Sequence, residues 1–315
     1  MQTTSRRRFL ESSLRAGCAL AGLGLLEANP LLAAEPFKRT GAPRLLLSLA
    51  AYSFRDYFPD PKQKPPANAN SARHIDLFQF IDFCAEHDCQ GTELTSYYFP
   101  RDLDHDFLIK IKRHAFLCGI NISGTAVGNN FTFPAGPDRD QEIAHVKKWI
   151  DHAAVMGAPH IRIFAGAAAS GTSRGEAVPL CVSAIEECCE YAGSKGILLG
   201  LENHGGIVAT ADEILEIVRA VKSPWLGINL DTGNFHTDDP YADLVKIAPY
   251  AVNVQMKGEI QPRGKNAEPA DLARLVRILR DANYQGFVAL EYESKEDPWT
   301  AVPRLLKQMK ELFRD

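Results

Sequence analysis

Four stretches in the carboxyl-terminal half of the chain each carry an oxygen donor where an apolar run ends. The donors are Glu202, Asp231, Gln255 and Glu291. Three acidic groups that converge beside an amide are costly unless a positive charge lies among them. Carboxylate and amide oxygens are hard ligands that suit Mg²⁺, Mn²⁺ or a similar divalent ion. These residue types therefore predict one divalent metal ion, provided that the fold brings them together.

The elements that must position these donors form a regular series from residue 45 onward. Eight β-rich runs alternate with eight amphipathic stretches at helical spacing. The β-rich runs are 45–54, 91–95, 120–127, 160–164, 197–203, 225–231, 252–257 and 287–292. Short apolar strands separated by helices predict a parallel sheet covered on both faces. Eight such pairs in about 270 residues predict a single-domain α/β protein, a (β/α)₈ TIM barrel.

A barrel of this kind places functional side chains where its strands end and the following loops begin. The four donors end the fifth, sixth, seventh and eighth predicted strands. Four consecutive strands thus supply an oxygen donor at the same level. An open doubly wound sheet usually has a Gly-rich phosphate turn after its first strand, and the sequence has none there.

The amino terminus has the features of an export signal. Residues 5–10 (SRRRFL) contain paired arginines followed by Phe-Leu, and an apolar stretch follows at 16–26. The arginine pair favours the twin-arginine route, and the apolar stretch is short for a membrane span. The alternative is a buried first helix or a membrane anchor. We expect a signal peptide at 1–34, a barrel at 35–315, a periplasmic location and no integration into the membrane.

Composition limits the class of partner. Hydrophobic residues make up 45% and charged residues 23%, which is typical of a soluble globular protein. The formal net charge is −4, and beyond the predicted signal peptide no cluster of Lys and Arg provides a surface for phosphate backbones. We therefore expect no nucleic acid partner. A homodimer remains an open alternative to a monomer, because no feature of the sequence identifies an interface.

Five short motifs at strand ends follow one another in a distinctive order. They are 91–94 (GTEL), 201–204 (LENH), 231–234 (DTGN), 254–257 (VQMK) and 290–293 (LEYE). Together they resemble the xylose isomerase-like TIM-barrel superfamily, the sugar phosphate isomerase/epimerase family, over nearly all of the predicted barrel. The resemblance implies a small sugar-like substrate and one metal ion. Its ligands would be Glu202, Asp231 and Glu291, with Gln255 from the seventh strand.

The sequence departs from the family pattern at two positions. In the family, the seventh strand usually offers a His at this position. The amide oxygen of Gln255 is a harder ligand than a His nitrogen, so that Mn²⁺, Mg²⁺ or Co²⁺ suits the site better than Zn²⁺. Asn234 stands where many relatives have a His that meets the substrate or a second metal. Without that His, and with no His supplied by the second or third strand, the three-metal arrangement of the family's DNA-repair endonucleases cannot form. Asn234 is instead a candidate for substrate binding.

The resemblance implies proton transfer through an enediolate of a sugar or keto-acid, with Glu202 and Glu291 as base and acid. The alternative is that both are only ligands and water or another residue moves the proton. The predicted activity is therefore that of an isomerase or epimerase. Two other functions remain open, a metal-assisted lyase or hydrolase acting on 3-keto-glycosides and a non-catalytic sugar-binding barrel.

Four more residues near the strand ends are candidates for substrate binding. His204 would touch a substrate hydroxyl or orient the glutamate on its strand. Arg162 faces inward on the fourth strand, so it either pairs with a carboxylate, that of Glu93 or of the fifth strand, or binds an anionic substrate. Lys257 would hold a substrate oxygen or carboxylate. Glu93 is either a substrate contact or a structural acceptor.

Overall fold

The computed structural model describes residues 35–59 and 73–314. The predicted export signal at 1–34 lies outside the described residues, and so does most of the loop that follows the first strand. In the described part of the chain, no helix has the length and apolar character needed to cross a membrane.

Eight parallel strands close into a barrel in chain order, because β1 pairs with both β2 and β8. The strands are β1 (Arg44–Ala50), β2 (Gly91–Thr95), β3 (Asn121–Ala126), β4 (His160–Ile163), β5 (Leu198–Glu202), β6 (Leu226–Asp231), β7 (Ala251–Met256) and β8 (Gln285–Leu290). The predicted (β/α)₈ TIM barrel with a single domain is confirmed. A two-residue antiparallel pair, Glu259–Ile260 with Glu268–Pro269, follows β7.

Helices cover the outside of the barrel. They are α1 (Leu77–Glu86), α2 (His105–Leu117), α3 (Pro137–Met156), α4 (Arg174–Ser194), α5 (Ala211–Ala220), α6 (Pro240–Ile247), α7 (Leu272–Asp281) and α8 (Pro298–Arg314). Capping boxes fix the starts of α1, α4 and α5, where Asp76, Ser173 and Thr210 accept from backbone amides three residues on. Gly157, with φ of +82°, ends α3 in a left-handed turn.

The first strand is shorter than the predicted run of 45–54. β1 ends at Ala50, and a 3₁₀ turn, Ala51–Phe54, follows it. Within this turn the Ser53 hydroxyl donates to the carbonyl oxygen of Leu290 at the end of β8, at 3.1 Å. The turn thereby connects the end of β1 to the end of β8, and residues 51–54 leave the sheet and do not extend the strand.

The barrel interior contains a buried histidine on β4. His160 is 3% exposed, and its Nδ1 lies 3.3 Å from the carbonyl oxygen of Ser123 on β3. Burial lowers the pKa of His160 to about 4, so the ring is neutral at pH 7. A Cβ atom added at Gly124 would lie 2.1 Å from two ring atoms of His160. Glycine is therefore required at this position to make room for the ring.

Substitution Gly124→Ala should lower the free energy of unfolding by about 1–3 kcal/mol, because overpacking a buried contact displaces the His160 ring. Urea unfolding at pH 7 measures the change. Gly175→Ala is the matched control, since the nearest atom to its added Cβ is 3.9 Å away. The control should be unchanged or slightly more stable. Equal midpoints for the two variants would contradict this packing.

The buried His160 should make folding sensitive to acid. An unfolded His titrates near pH 6.5, and the folded ring does so at about pH 4. Between these values the unfolded chain binds the extra proton, so stability falls as the pH drops, by up to about 3 kcal/mol. Urea unfolding between pH 7 and pH 4.5 should show a steeper acid loss for wild type than for His160→Asn. Parallel pH curves would refute the assignment.

Candidate metal centre

The ends of β5 to β8 deliver the four predicted ligands to one rim of the barrel. Glu202 and Asp231 are the last residues of their strands, Gln255 is the penultimate residue of β7, and Glu291 follows β8 directly. None of the four is more than 5% exposed. Asp231 and Gln255 are register partners on adjacent strands. The strand ends therefore hold three carboxylates and an amide out of water.

Two of these side chains, Asp231 and Glu291, contact the ammonium group of Lys257. Its Nζ lies 2.7 Å from Glu291 Oε2 and 3.2 Å from Asp231 Oδ2, and it also contacts the carboxylate of Glu293. Gln255 Nε2 lies 3.3 Å from Glu291 Oε1. A single positive charge therefore lies between Asp231 and Glu291, and Gln255 contacts the other oxygen of Glu291.

Glu202 is held at the edge of this group. Its Oε2 lies 2.8 Å from Nε of Arg162, and its Oε1 accepts a hydrogen bond of 2.9 Å from the amide of Asn234. Both carboxylate oxygens thus have partners away from Lys257. Of the two alternatives for Arg162, the structure contains the internal ion pair, and the partner is the glutamate of β5.

The carboxylates of Glu202, Asp231 and Glu291 are farther apart than the ligands of one metal ion. Among residues 35–59 and 73–314, they do not form a group whose ligand atoms all lie within 4.8 Å of one another. The group that meets this condition there lies outside the barrel, between α1 and α2, and consists of Asp82, His114 and Cys118. Within this group, His114 Nε2 and Cys118 Sγ are hydrogen-bonded to Asp82 Oδ1, at 2.7 and 3.4 Å.

A closed ring of four side chains lies beneath the site. Glu93 accepts from Gln255 Nε2 at 2.7 Å and from Asn253 Nδ2 at 2.9 Å. Asn253 also donates to Asn229 Oδ1 at 2.8 Å, and Asn229 in turn donates to Gln255 Oε1 at 2.6 Å. Gln255 is thus brought to the predicted position with its amide nitrogen, and not its oxygen, facing Glu291. Glu93 takes the structural acceptor role in this ring.

Burial dominates the electrostatics of the acidic groups. It raises the pKa of Glu93 and that of Asp231 to about 7, and it raises the pKa of Glu202 well above its ordinary value despite Arg162. For Glu291, burial is outweighed by the nearby Lys257 ammonium, and the pKa is lowered. A bound divalent ion would favour the ionised forms, so its binding would release protons.

The donor set fits a hard divalent cation. Asp231 Oδ2 is fully buried and accepts no hydrogen bond, although Lys257 lies 3.2 Å away. A buried carboxylate oxygen without a hydrogen bond is unusual in a folded protein. Oxygen ligands from carboxylates suit Mg²⁺, Mn²⁺ and Co²⁺. Asp231 and Glu291 would hold such an ion, with Glu202 joining after a side-chain rotation.

The remaining predicted residues surround this group. Asn234 is half-buried and touches Glu202, as described above. His204 lies exposed beyond β5, with its ring centroid 4.4 Å from that of Phe164. The Arg162 guanidinium carbon lies 3.9 Å from the centroid of the same Phe164 ring. His204 thus lies on the wall of the mouth, next to the ion pair formed by Arg162 and Glu202.

Sequence reasoning missed three asparagines that shape the site. Asn229 and Asn253 precede Asp231 and Gln255 by two residues, so they occupy the same strand faces one level deeper. Asn203 exchanges two hydrogen bonds of 2.9 Å with the backbone of Asp231 and fixes the end of β6 against β5. The two-residue periodicity of strands was the signal that could have identified the first pair.

A small polar cavity of about 240 Å³ opens beside Lys257. It lies over the ends of β6, β7 and β8. Its lining residues are Gly233, Asn234, His236, Lys257, Gly258, Glu259, Ile260, Gln261, Ala267, Glu293 and Ser294. The cavity is smaller than a typical drug-sized site, so it suits a compact polar molecule.

Comparison with known families and structures places this fold and site in context. Residues 81–312 match the model of a family described as xylose isomerase-like TIM barrel. No curated protein matches the sequence significantly.

Solved structures that resemble the chain include three barrels. D-psicose 3-epimerase with D-tagatose, from Clostridium cellulolyticum H10, has 16% identity and a TM-score of 0.64, over 85% of this chain and 94% of that one. The 3-keto-D-glucoside 4-epimerase of E. coli has 14% identity and a TM-score of 0.62, over 85% and 100%. A xylose isomerase-like TIM barrel protein of Mycobacterium smegmatis, in complex with magnesium, has 14% identity and a TM-score of 0.64, over 86% and 96%. At these identities the likeness concerns the fold.

Arg162 and Glu202 should be energetically coupled. Arg162→Met leaves a buried carboxylate without its cation and should cost about 3–5 kcal/mol of stability. Adding Glu202→Gln to this variant removes that charge. The double variant should therefore be more stable than Arg162→Met by at least about 1 kcal/mol. A double-mutant cycle by urea unfolding measures this coupling. Additive losses would mean that the ion pair makes no net contribution.

Proposed function

The chain belongs to the xylose isomerase-like TIM barrel family, and on that premise we propose that it is a metal-dependent isomerase or epimerase. It moves a proton on a sugar or keto-acid through an enediolate. The observation that carries this proposal is that the buried Asp231 and Glu291 share one positive charge, with Gln255 beside Glu291 and with Asp231 Oδ2 lacking a hydrogen bond. Such a group of buried oxygens favours a divalent cation.

The proposed ligands are Glu202, Asp231, Glu291 and, after rotation of its amide, Gln255. A divalent ion held there would polarise the substrate carbonyl and lower the pKa of the adjacent C–H bond. Mn²⁺, Mg²⁺ or Co²⁺ suits these oxygens better than Zn²⁺. The magnesium complex of the M. smegmatis barrel supports this class of ion for a related fold.

Proton transfer is assigned to two glutamates from strands on opposite sides of β6 and β7. Glu202 and Glu291 would act as the acid–base pair, one removing the proton and the other returning it. Arg162 restrains the Glu202 carboxylate by its ion pair of 2.8 Å, and Asn234 binds the second oxygen. Burial of both carboxylates limits exchange of the proton with bulk water.

The substrate is proposed to be a small sugar. The cavity of about 240 Å³ beside the site is lined mainly by polar and charged side chains, which suits a molecule rich in hydroxyl groups. The epimerases with related folds act on D-psicose and on a 3-keto-D-glucoside, as their names state. Export through the twin-arginine route to the periplasm is part of the same proposal, and it rests on residues 5–10.

Proton–deuterium exchange tests this function. In D₂O, Mn²⁺-loaded protein should catalyse the incorporation of deuterium into at least one substrate from a panel of ketoses and 3-keto-glycosides. The deuterium should appear on the carbon next to the carbonyl. Chelation should abolish exchange, and Glu202→Gln or Glu291→Gln should each slow it at least about 100-fold. Glu311→Gln, on an exposed position of α8, is the matched control and should match wild type.

Product analysis in the same experiment separates the alternatives. An epimer or an isomer supports the proposal, and an eliminated or hydrolysed product assigns the lyase or hydrolase activity instead. Exchange that persists after chelation, or the absence of exchange with every substrate when Mn²⁺ is bound, would disprove the metal-dependent mechanism.

A further inference from the structure

Lys257 lies where the proposed metal ligands converge. It extends from β7 two residues after Gln255, and its side chain is only 9% exposed. Its ammonium group is shared by Asp231, Glu291 and Glu293. A buried ammonium needs such partners to offset its desolvation.

The ammonium and a divalent cation compete for the same oxygens. A divalent ion lies about 2.0–2.6 Å from its oxygen ligands. Lys257 Nζ already lies 2.7 Å from Glu291 Oε2 and 3.2 Å from Asp231 Oδ2. An ion bound to that oxygen of Glu291 would sit no more than about 5 Å from Nζ, inside a site with little water to screen the repulsion. This repulsion would favour movement of the lysine away from Asp231 and Glu291 when an ion binds.

The structure provides a place for the displaced lysine. The side chain of Glu293 already contacts Nζ and is 39% exposed, so it borders solvent as well as the site. Lys257, Glu293 and Gly233 all line the cavity of about 240 Å³. A Cβ atom at Gly233 would lie 2.7 Å from Lys257 Cγ, so glycine leaves room for the lysine stem at this point.

We propose that Lys257 is a built-in counter-ion that occupies the cation position when no divalent ion is bound. When the ion binds, Lys257 moves outward and keeps only Glu293 as its ionic partner. The lysine would thereby stabilise the acidic site before metal uptake and would weaken metal affinity by competition. This inference rests on the proposed metal-dependent function and assigns Lys257 a role other than substrate binding.

Isothermal titration with Mn²⁺ of chelator-treated, full-length protein tests the competition. Lys257→Met should bind Mn²⁺ at least tenfold more tightly than wild type, because no ammonium has to leave. Without Mn²⁺, the same variant should melt at a lower temperature than wild type, since its carboxylates lose their counter-ion. Lys246→Met, which removes a surface ion pair with Asp212, is the matched control and should leave Mn²⁺ affinity unchanged.

Glu293→Gln provides a second, independent variant. It removes the partner that Lys257 keeps, so it should weaken Mn²⁺ binding severalfold in the wild-type background. In the Lys257→Met background the same change should have little effect. Should Lys257→Met fail to fold, Glu293→Gln decides alone, and unchanged or tighter Mn²⁺ binding by that variant would overturn the proposal.

The outcomes separate this proposal from the proposed function. If folded Lys257→Met binds Mn²⁺ no more tightly than wild type, the counter-ion role is wrong, and the exchange experiment still judges catalysis. If Lys257→Met binds Mn²⁺ and wild type does not, the counter-ion role is supported and metal-dependent catalysis is contradicted. If neither protein binds Mn²⁺, both are overturned.

Discussion

The rim of the barrel depends on one constraint, the burial of several carboxylates that two buried cations, among the residues that the structure describes, have to offset. The buried acidic side chains are Glu93, Glu202, Asp231 and Glu291. Arg162 pairs with one of them and Lys257 with two, and the fourth is satisfied by amides. A buried carboxylate that lacks a partner costs several kcal/mol. The closed ring of Glu93, Gln255, Asn229 and Asn253, the ion pairs and the raised pKa values all follow from this imbalance.

Much of the fold and the positions of the candidate ligands could be predicted because both follow from periodicity. Alternating strand and helix patterns determine the number and order of the elements, and the residues that end β5 to β8 must lie on one rim. Asp231 and Gln255 lie on adjacent strands, and the register of these strands places them side by side. The length of β1 could not be predicted, because the Ser53 contact with the end of β8 is made across the closure of the barrel.

The detailed arrangement of the site could not be predicted, because it depends on contacts between strands distant in sequence. Glu93 on β2 reaches Gln255 on β7 and determines which atom of the amide faces Glu291. Arg162 on β4 draws Glu202 toward itself. Sequence spacing placed Lys257 on the correct face, but it could not indicate whether the ammonium meets substrate or the neighbouring carboxylates. The charge balance at this rim depends on residues that lie on, or directly after, six of the eight strands.

Crystals soaked in Mn²⁺ and measured near the manganese absorption edge would show whether the ends of β5 to β8 bind one divalent cation. We expect a single anomalous peak about 2.0–2.4 Å from oxygens of Asp231, Glu291 and Glu202, with Lys257 moved toward Glu293. An absence of any peak at this rim, with the Lys257 ammonium still between Asp231 and Glu291, would contradict this expectation.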